Sequence, residues 1–479
     1  MSNLKERSVK GVSWNLVEQF GLQGVRFVFG VILARLLTPD DFGLIGMITV
    51  FFTIAQIFID GGFSLSYIQK GEVTKEDANT IFFTNLGVSI ILYAIFWFTA
   101  PFIASFYNQP LLLDLTRVMA LVLVVNSFNI IQMAQVIRAI DFKLRAKIIL
   151  ASTILSGSIG ITCAYLGLGV WSLVVQQMAN RIITTIGFWI SSKWRPSLLF
   201  STKSFSDMFS FGGWILLTGI IRTTMDNIYT LVIGKLFPVA QLGYYTKSKQ
   251  LQHLASQNLT SSIGAVSFPV FSKLQHDHSA LKRAMHNFSS NAMFFIVPIM
   301  VGLLVVAEPF ILILLTEKWA PSIPFLQLLC LVGYLYPLHM VNVQALTAIG
   351  KARQSMVVEV VKNLLRLANI VIMHRFGVLY IIMGEVVVSL LSLYVNTFYI
   401  KRYLSYGLVS QLLELKLILI GGLLAGIAGY SLNLFIENLF IQLFAGIFIV
   451  TLTYGGFHYI FNRKQIKSIL ELVKLFKNK

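Results

Sequence analysis

Fourteen stretches of about 20 mostly apolar residues follow one another along the chain. A helix of that length crosses the hydrocarbon core of a bilayer, which is roughly 30 Å thick. Because lipid offers the backbone no hydrogen-bond partners, a chain built from such stretches is restricted to spanning helices. The sequence therefore predicts an all-α polytopic membrane protein with about fourteen transmembrane helices. The predicted spans are residues 13–36, 42–61, 80–101, 115–137, 148–167, 169–191, 208–234, 241–271, 288–315, 322–346, 357–374, 377–400, 413–434 and 438–461.

The composition agrees with this prediction along the whole length. Charged residues make up 12% of the 479 residues, whereas soluble domains carry about 25%. The two cysteines, Cys163 and Cys330, lie in apolar segments. We interpret them as small buried hydrophobic residues, since no disulfide framework or metal-binding spacing is present.

The basic residues predict the orientation in the membrane. With the N-terminus placed inside, 26 of the 38 Lys and Arg residues fall in inside loops and the C-terminal tail, and four fall outside. This asymmetry predicts that both termini are cytoplasmic, in a bacterial cytoplasmic (inner) membrane. It also explains the net charge of +18 by topology and contact with anionic lipid, so nucleic-acid binding is not expected. The tail from 464 to 479 has the pattern of an interfacial amphipathic helix.

The sequence contains a weak internal repeat at an offset of 200 residues. Trp14 and Trp214 match, as do Gly43 and Gly243, and "ILARLLTPDDFGL" parallels "VIGKLFPVAQLGY". Internal repeats are common in transporters, where the substrate site lies between the repeats. The sequence therefore predicts two pseudo-symmetric six-helix halves, 1–200 and 201–410, followed by residues 411–479 with two extra transmembrane helices and the amphipathic tail.

The count of inside and outside basic residues leaves eight, all of which lie within predicted spans. Each charge at the bilayer centre costs about 2.5–3.5 kcal/mol on insertion scales. Eight of them facing lipid would cost roughly 20 kcal/mol, more than the net stability of a typical fold. They must therefore face a hydrated interior, pair with acids or lie near an interface, as we expect for Arg117. The other seven are Arg26, Arg181, Arg222, Lys247, Lys249, Lys362 and Arg366.

Polar residues recur at helical spacing on several spans and predict a shared hydrated cavity. Basic residues outnumber acidic ones in these stripes, which suits an anionic ligand, because guanidinium groups match phosphate geometry. The proposed substrate-binding residues are Arg26, Arg181, Arg222, Lys247, Lys362 and Arg366. The proposed polar lining is Gln19, Gln23, Gln56 and Gln177. The candidate acids for coupling to Na⁺ or H⁺ are Asp60, Asp226, Glu359 and Glu385.

Structural ion pairing is the alternative for some of these charges. Arg222 and Asp226, and likewise Glu359 and Lys362, have the spacing of pairs within one helix. Glu18 lies on the same helix as Arg26 and has no assigned role. No catalytic motif accompanies these charges, so the sequence predicts a protein that is not an enzyme and needs no cofactor or metal.

Several motifs resemble polysaccharide exporters of the Wzx (colanic-acid exporter) type. These exporters belong to the multidrug/oligosaccharidyl-lipid/polysaccharide (MOP) flippase superfamily. The resemblance spans essentially the whole chain. The matching motifs are "ARLLTPDDFGLIGM" at 34–47, "DGGFSLSYIQ" at 60–69, "DNIYTLVIG" at 226–234, "LGYY" at 242–245, "QLQ" at 250–252, "SFPVFSKLQ" at 267–275 and "WAPSIPFLQLL" at 319–329.

The resemblance implies two six-helix bundles with two extra C-terminal helices. It implies a flippase for undecaprenyl-pyrophosphate-linked oligosaccharide that works by alternating access, with a polysaccharide polymerase and assembly proteins as possible partners. Related lipid II flippases use an arginine on the first helix, a position that Arg26 fills. Their adjacent aspartate is replaced here by Phe27, so that acid is not carried over.

Three other functions remain as alternatives. A scaffold of an envelope-assembly complex, with no transport of its own, would leave the polar stripes unexplained. A cation-coupled multidrug antiporter of the same superfamily predicts a net acidic cavity, contrary to the balance of charges counted here. A membrane glycosyltransferase or ligase predicts a long outer loop with paired acids, and the sequence contains no such loop.

Overall fold

A computed structural model describes residues 2–463 and 465–467. In this part of the chain the regular structure is entirely helical. The α-helices are α1 (Ser2–Leu36), α2 (Pro39–Asp60), α3 (Phe63–Gln69), α4 (Lys75–Tyr107), α5 (Leu112–Ser127), α6 (Ile130–Arg138), α7 (Phe142–Tyr165), α8 (Trp171–Ser191), α9 (Thr202–Asp226), α10 (Ile228–Leu236), α11 (Val239–Lys273), α12 (His278–Val305), α13 (Ala307–Leu315), α14 (Ile323–Ala348), α15 (Ala352–Met373), α16 (Val378–Leu404), α17 (Leu408–Glu414), α18 (Lys416–Asn433) and α19 (Leu439–Phe461). A short 3-10 helix, Glu317–Ser322, precedes α14.

Each predicted span coincides with one helix or with two consecutive helices. The divided spans correspond to α5–α6, α9–α10, α12–α13 and α17–α18. Among the described residues, eight segments are long and apolar enough to cross a membrane, and nine are if the α5–α6 pair, bent by 41°, counts as one span. The chain is therefore an all-helical multi-pass membrane protein, and the number of fourteen spans stays a prediction.

Some helices have a lower mean hydropathy than a typical membrane span because they carry polar residues. Helices α1, α8 and α15 carry the predicted polar stripes and are not among the eight segments that the described residues provide. Large apolar side chains are exposed on α4 and on α8 itself, such as Phe98 at 74% and Ile190 at 78% exposure. An apolar exterior around polar helix faces is the arrangement expected in lipid.

Local sequence signals set the ends of the helices. Thr38 begins α2 with a capping box, in which its hydroxyl accepts from the backbone N–H of Asp41, and Pro39 occupies the first turn. Thr74 and Asp77 form the same motif at the start of α4. Helix α2 ends at Gly61, which adopts a left-handed conformation. These caps satisfy the free N–H groups of the first turn and stop the helices at the observed residues.

The helices form two compact units, Met1–Gly243 and Tyr244–Lys479. In the first unit α1 packs along α7, α7 along α8, and α5 lies against α2, α4 and α8. Helices α9 and α10 pack on α2 and α4. The predicted division assigns α9 and α10 to the second half. In the structure their contacts are with helices of the first unit. The predicted repeat boundaries at 200 and 410 stay predictions.

The second unit is built around α12, α14 and α16, with α15 against α14 and α16. The two predicted extra helices, α18 and α19, form a hairpin that packs on α12. Tyr454 of α19 donates a hydrogen bond to the Phe294 carbonyl at 3.1 Å. Asn433 of α18 donates to the Val305 carbonyl at 3.0 Å. The predicted amphipathic tail lies almost wholly outside the described residues.

A close crossing of two helix starts lies within the first unit. A Cβ atom on Gly43 of α2 would overlap the carbonyl oxygen of Val239, and one on Gly243 of α11 would overlap that of Pro39. The two contacts are reciprocal and related by the offset of 200 residues found in the sequence. Only glycine allows the backbones to approach this closely.

Candidate functional site

Two adjoining cavities in the first unit form a polar column along its helices. One has a volume of about 660 Å³ and the other of about 500 Å³. They share five lining residues, so we call this shared level the junction. The junction residues are Arg26, Gln56, Asp60, Asn180 and Arg181.

The order of lining residues shows how the cavities are stacked. On α7 the smaller cavity is lined by Arg145 and Ile149, near the helix start. The larger cavity is lined by Thr153 and Ser156, further along the same helix. With the orientation predicted from the basic residues, the smaller cavity lies towards the cytoplasmic end of the column. The junction then lies about two helical turns deeper, since Glu18 and Arg26 are eight residues apart at 1.5 Å per residue.

The junction is biased towards positive charge. Arg26 and Arg181 are both exposed, and because they line the cavities this exposure is towards the column. Neither guanidinium forms an ion pair with a carboxylate of the described residues. Arg181 donates to the Asn126 side chain at 3.3 Å, and Asp60 accepts from the Ser64 hydroxyl at 2.5 Å. Two guanidinium groups therefore face one carboxylate.

Uncharged polar groups continue the lining beyond the junction. The predicted residues Gln56 and Gln177 line the larger cavity. Gln19 and Gln23, also predicted, are half-buried and line neither cavity of the column. The further amide and hydroxyl groups of the larger cavity are Thr49, Thr53, Thr153, Ser156, Gln176 and Asn180.

Arg222 and Asp226 lie apart from the column. Arg222 Nε is 3.9 Å from Asp226 Oδ2, and the two side chains are 81% and 51% exposed. Their predicted pairing within one helix is thus observed, at the long end of the ion-pair range. Because both side chains are exposed, the pair contributes little to stability.

The remaining predicted charges gather in a small cavity of the second unit, of about 120 Å³. Lys362 Nζ lies 2.6 Å from Glu359, the second predicted ion pair. Arg366 and Glu385 line the same cavity. The cavity holds two basic and two acidic side chains, so it lacks the positive bias of the first unit.

Lys247 lines neither the column of the first unit nor the small cavity of the second unit. It is 3% exposed on α11 and lines none of the three cavities described. A binding role for Lys247 would need an accessible ammonium group, so this structure gives the prediction no support. Lys249, two residues on, places its ammonium 5.6 Å from the Tyr245 ring centre. Arg117 stacks over Trp97 at 4.5 Å, a contact expected of a residue near an interface.

Three polar side chains that line these cavities were not predicted from the sequence. Arg145 precedes the predicted span 148–167 and so falls among the inside-loop residues of the charge count. In the structure it lies one turn inside α7 and pairs with Glu18 at 3.2 Å. Asn180 precedes Arg181 and is three residues from Gln177, so the stripe on α8 could have revealed it. His339 contacts Ser389 at 3.1 Å, within the cavity of the second unit. No spacing signal marks this histidine, because its partners come from another helix.

This fold and its column define a class of protein, the all-helical multi-pass membrane proteins with an internal cavity. The chain belongs to the polysaccharide biosynthesis protein family, whose model matches residues 32–324. The resemblance drawn from the sequence motifs is therefore confirmed.

Two curated relatives and one solved structure illustrate the similarity. The chain is 23% identical to the teichuronic acid biosynthesis protein TuaB of Bacillus subtilis, over 74% of this chain and 73% of that protein. It is 27% identical to the lipopolysaccharide biosynthesis protein WzxC of Escherichia coli, over 70% of this chain and 68% of that protein. The lipid II flippase MurJ, in an inward closed conformation, matches with a TM-score of 0.74 at 15% identity, over 96% of this chain and 100% of MurJ. This last match concerns the fold.

Proposed function

We propose that the protein flips undecaprenyl-pyrophosphate-linked oligosaccharide, a repeat unit of O-antigen, capsule or exopolysaccharide, across the bacterial cytoplasmic membrane. The observation that carries this proposal is the junction of the first unit, where Arg26 and Arg181 line the column and form no ion pair with a carboxylate of the described residues. Family membership and the named polysaccharide relatives support the class of cargo.

The chemistry of the column suits such a cargo. Guanidinium groups bind phosphate oxygens through charge-assisted hydrogen bonds of fixed geometry. The hydroxyl and amide groups of the larger cavity can exchange hydrogen bonds with sugar hydroxyls, in place of water. The isoprenoid tail stays in the bilayer, where its burial needs no protein cavity. The protein then supplies only the polar path that lipid lacks.

Transport by this path requires alternating access, and the predicted repeat supplies the two moving halves. Of the four acids predicted to take part in coupling, Asp60 is the one that lies at the junction. Glu359 and Glu385 belong to the charge-balanced cavity of the second unit, and Asp226 is exposed beside Arg222. A polysaccharide polymerase on the outer side is the expected consumer of the flipped product.

A multidrug antiporter is the main rival, and the junction distinguishes the two functions. An organic cation would be repelled by two guanidinium groups that only one carboxylate offsets. The described part of the column contains one further acid, Glu18, and it is already paired with Arg145. The balance of charge therefore favours an anionic cargo.

Reconstitution into proteoliposomes tests the proposal. We expect the wild-type protein to flip undecaprenyl-pyrophosphate-linked oligosaccharide, measured by access of an external glycosidase or lectin to the sugar. A neutral glycolipid with the same sugar should cross at the rate of protein-free vesicles. Ethidium transport driven by a proton or sodium gradient, without flipping of any pyrophosphate-linked lipid, would contradict the proposal and favour the antiporter.

A further inference from the structure

A buried ion pair lines the cytoplasmic part of the column. Glu18 of α1 lies 3.2 Å from Arg145 of α7, measured from Oε1 to Nη2. Glu18 is 3% exposed. Both residues line the smaller cavity, and their helices pack along each other. Neither residue belongs to the junction.

This pair is incompletely satisfied. Among the described residues, neither Glu18 Oε2 nor Arg145 Nε, both buried atoms, has a hydrogen-bond partner. An arginine–carboxylate pair usually reaches full strength through two parallel hydrogen bonds. Here one contact holds the pair, and one acceptor and one donor remain unused. A ligand that satisfies the free donor of Arg145 would therefore compete well with Glu18.

The other charged groups of the smaller cavity are Arg26, Asp60 and Arg181. Together with Arg145 they form a line of three guanidinium groups from the cytoplasmic part of the column to the junction. An anion that moves along this line meets Arg145 before it meets Arg26 and Arg181, given the predicted orientation. Glu18 occupies the position that such an anion would take on Arg145.

We propose that Glu18 and Arg145 form an exchangeable ion pair that couples entry of the anionic headgroup to uptake of one proton. A phosphate oxygen replaces Glu18 Oε1 on Arg145, and the released Glu18 carboxylate takes one proton from the cytoplasmic water. The nature of the anion rests on the proposed function. No covalent bond of the cargo is broken. The proton transfer breaks one O–H bond of a hydronium ion in the cytoplasmic water and forms one O–H bond on Glu18.

The surroundings of Glu18 favour a proton over a metal ion. A buried carboxylate without its counter-charge, and beside an anion, is strongly disfavoured in its ionised form. Hard metal cations need several oxygen ligands and favour carboxylates, and the described lining of the smaller cavity offers one carboxylate besides Glu18, that of Asp60. A proton needs a single carboxylate oxygen, which Oε2 provides.

Binding of undecaprenyl pyrophosphate at different pH values tests the coupling. We expect the dissociation constant of the full-length protein in detergent to rise with pH more steeply than that of Glu18→Gln. The excess should be about tenfold per pH unit between pH 6.5 and 8.5, as linkage to one proton requires. Titration of the lipid itself is common to both proteins and cancels in the comparison. Glu18→Gln should also bind more tightly at high pH, because Arg145 is then free.

Two further variants keep the test decisive. Arg145→Gln should bind more weakly and should lose the excess pH dependence, so it replaces Glu18→Gln if that variant does not fold. Asp77→Asn is the matched control, since Asp77 is buried and pairs with Lys70 at 2.7 Å but lines none of the three cavities. It should keep the wild-type pH dependence.

Three outcomes would overturn the inference. Equal pH dependence in wild type and Glu18→Gln would remove Glu18 from the coupling and leave the proposed function intact. The same loss of pH dependence in Asp77→Asn would show a general effect of losing a buried charge. Failure of the wild-type protein to bind undecaprenyl pyrophosphate at any pH would instead count against the proposed function, and against this inference with it.

Discussion

Valine in place of Gly243 should reduce flipping to less than about a tenth of the wild-type rate. A Cβ atom at this position would overlap the Pro39 carbonyl oxygen, and a backbone atom on a helix start cannot rotate away. Overpacking of this kind costs about 1–3 kcal/mol or more, and 1.4 kcal/mol already changes a population tenfold. The crossing of α2 and α11 would therefore become a rare state, and the proposed cycle would stall.

Because the contact is reciprocal, the same effect is expected from a substitution at Gly43. Gly43→Val should have a similar effect, because the Val239 carbonyl oxygen meets the new Cβ atom there. The double variant should be little worse than either single variant, since both disrupt one contact. Gly87→Val is the control, because a Cβ atom at Gly87 would meet no atom within 4 Å.

Flipping rates and thermal unfolding in detergent should be measured together for these variants. We expect Gly43→Val and Gly243→Val to be made and inserted but inactive, and Gly87→Val to be active. Wild-type flipping in Gly243→Val would show that the close crossing is dispensable for transport.

Alanine in place of Arg26 or Arg181 should lower flipping of pyrophosphate-linked oligosaccharide by roughly 10- to 100-fold. Each charge-assisted hydrogen bond contributes about 1.5–3 kcal/mol, and each guanidinium can offer two to a pyrophosphate. Arg26→Lys and Arg181→Lys should recover part of the rate, since the charge stays but the forked geometry is lost.

Arg222→Ala is the matched control for both substitutions. Arg222 is also an arginine within a predicted span, but it is 81% exposed and has Asp226 at 3.9 Å. Its removal should change flipping less than about twofold, consistent with the small energies of exposed pairs. A large loss in Arg222→Ala with normal rates in Arg26→Ala would place the headgroup elsewhere.

The sequence predicted the cavity-lining faces of some helices, although Gln19 and Gln23 line neither cavity of the column. Helical spacing grouped Gln177 with Arg181 and Gln56 with Asp60, and all four line the column. The 3.6-residue period is a local property, so it can be recognised without knowledge of the tertiary structure. The same reasoning identified the two pairs within single helices, Arg222–Asp226 and Glu359–Lys362.

Tertiary packing determined what the sequence could not show. Lys362, Arg366 and Glu385 meet around α14, α15 and α16, in another unit from Arg26. One cavity shared by all these charges stays a prediction. A polar stripe does not indicate which other stripe it meets. Lys247 illustrates the same limit, because periodicity does not distinguish a packed position from a hydrated one.

The sequence pattern also predicted the ends of the helices poorly. The apolar stretch at 148–167 begins six residues after the observed start of α7 at Phe142. Arg145 was therefore assigned to a loop, and the partner of Glu18 was missed. Polar residues in the first turns of a membrane helix lower its apolar signal, so the sequence pattern shortens the helices that carry such residues.

Binding of undecaprenyl pyrophosphate to variants of each unit tests the central claim most directly. The claim is that the basic junction of the first unit holds the headgroup. Arg26→Ala and Arg181→Ala should each weaken binding by roughly 10- to 100-fold, whereas Lys362→Ala in the second unit should bind like the wild type. Wild-type affinity in both junction variants, together with loss of binding in Lys362→Ala, would contradict the claim and move the site to the second unit.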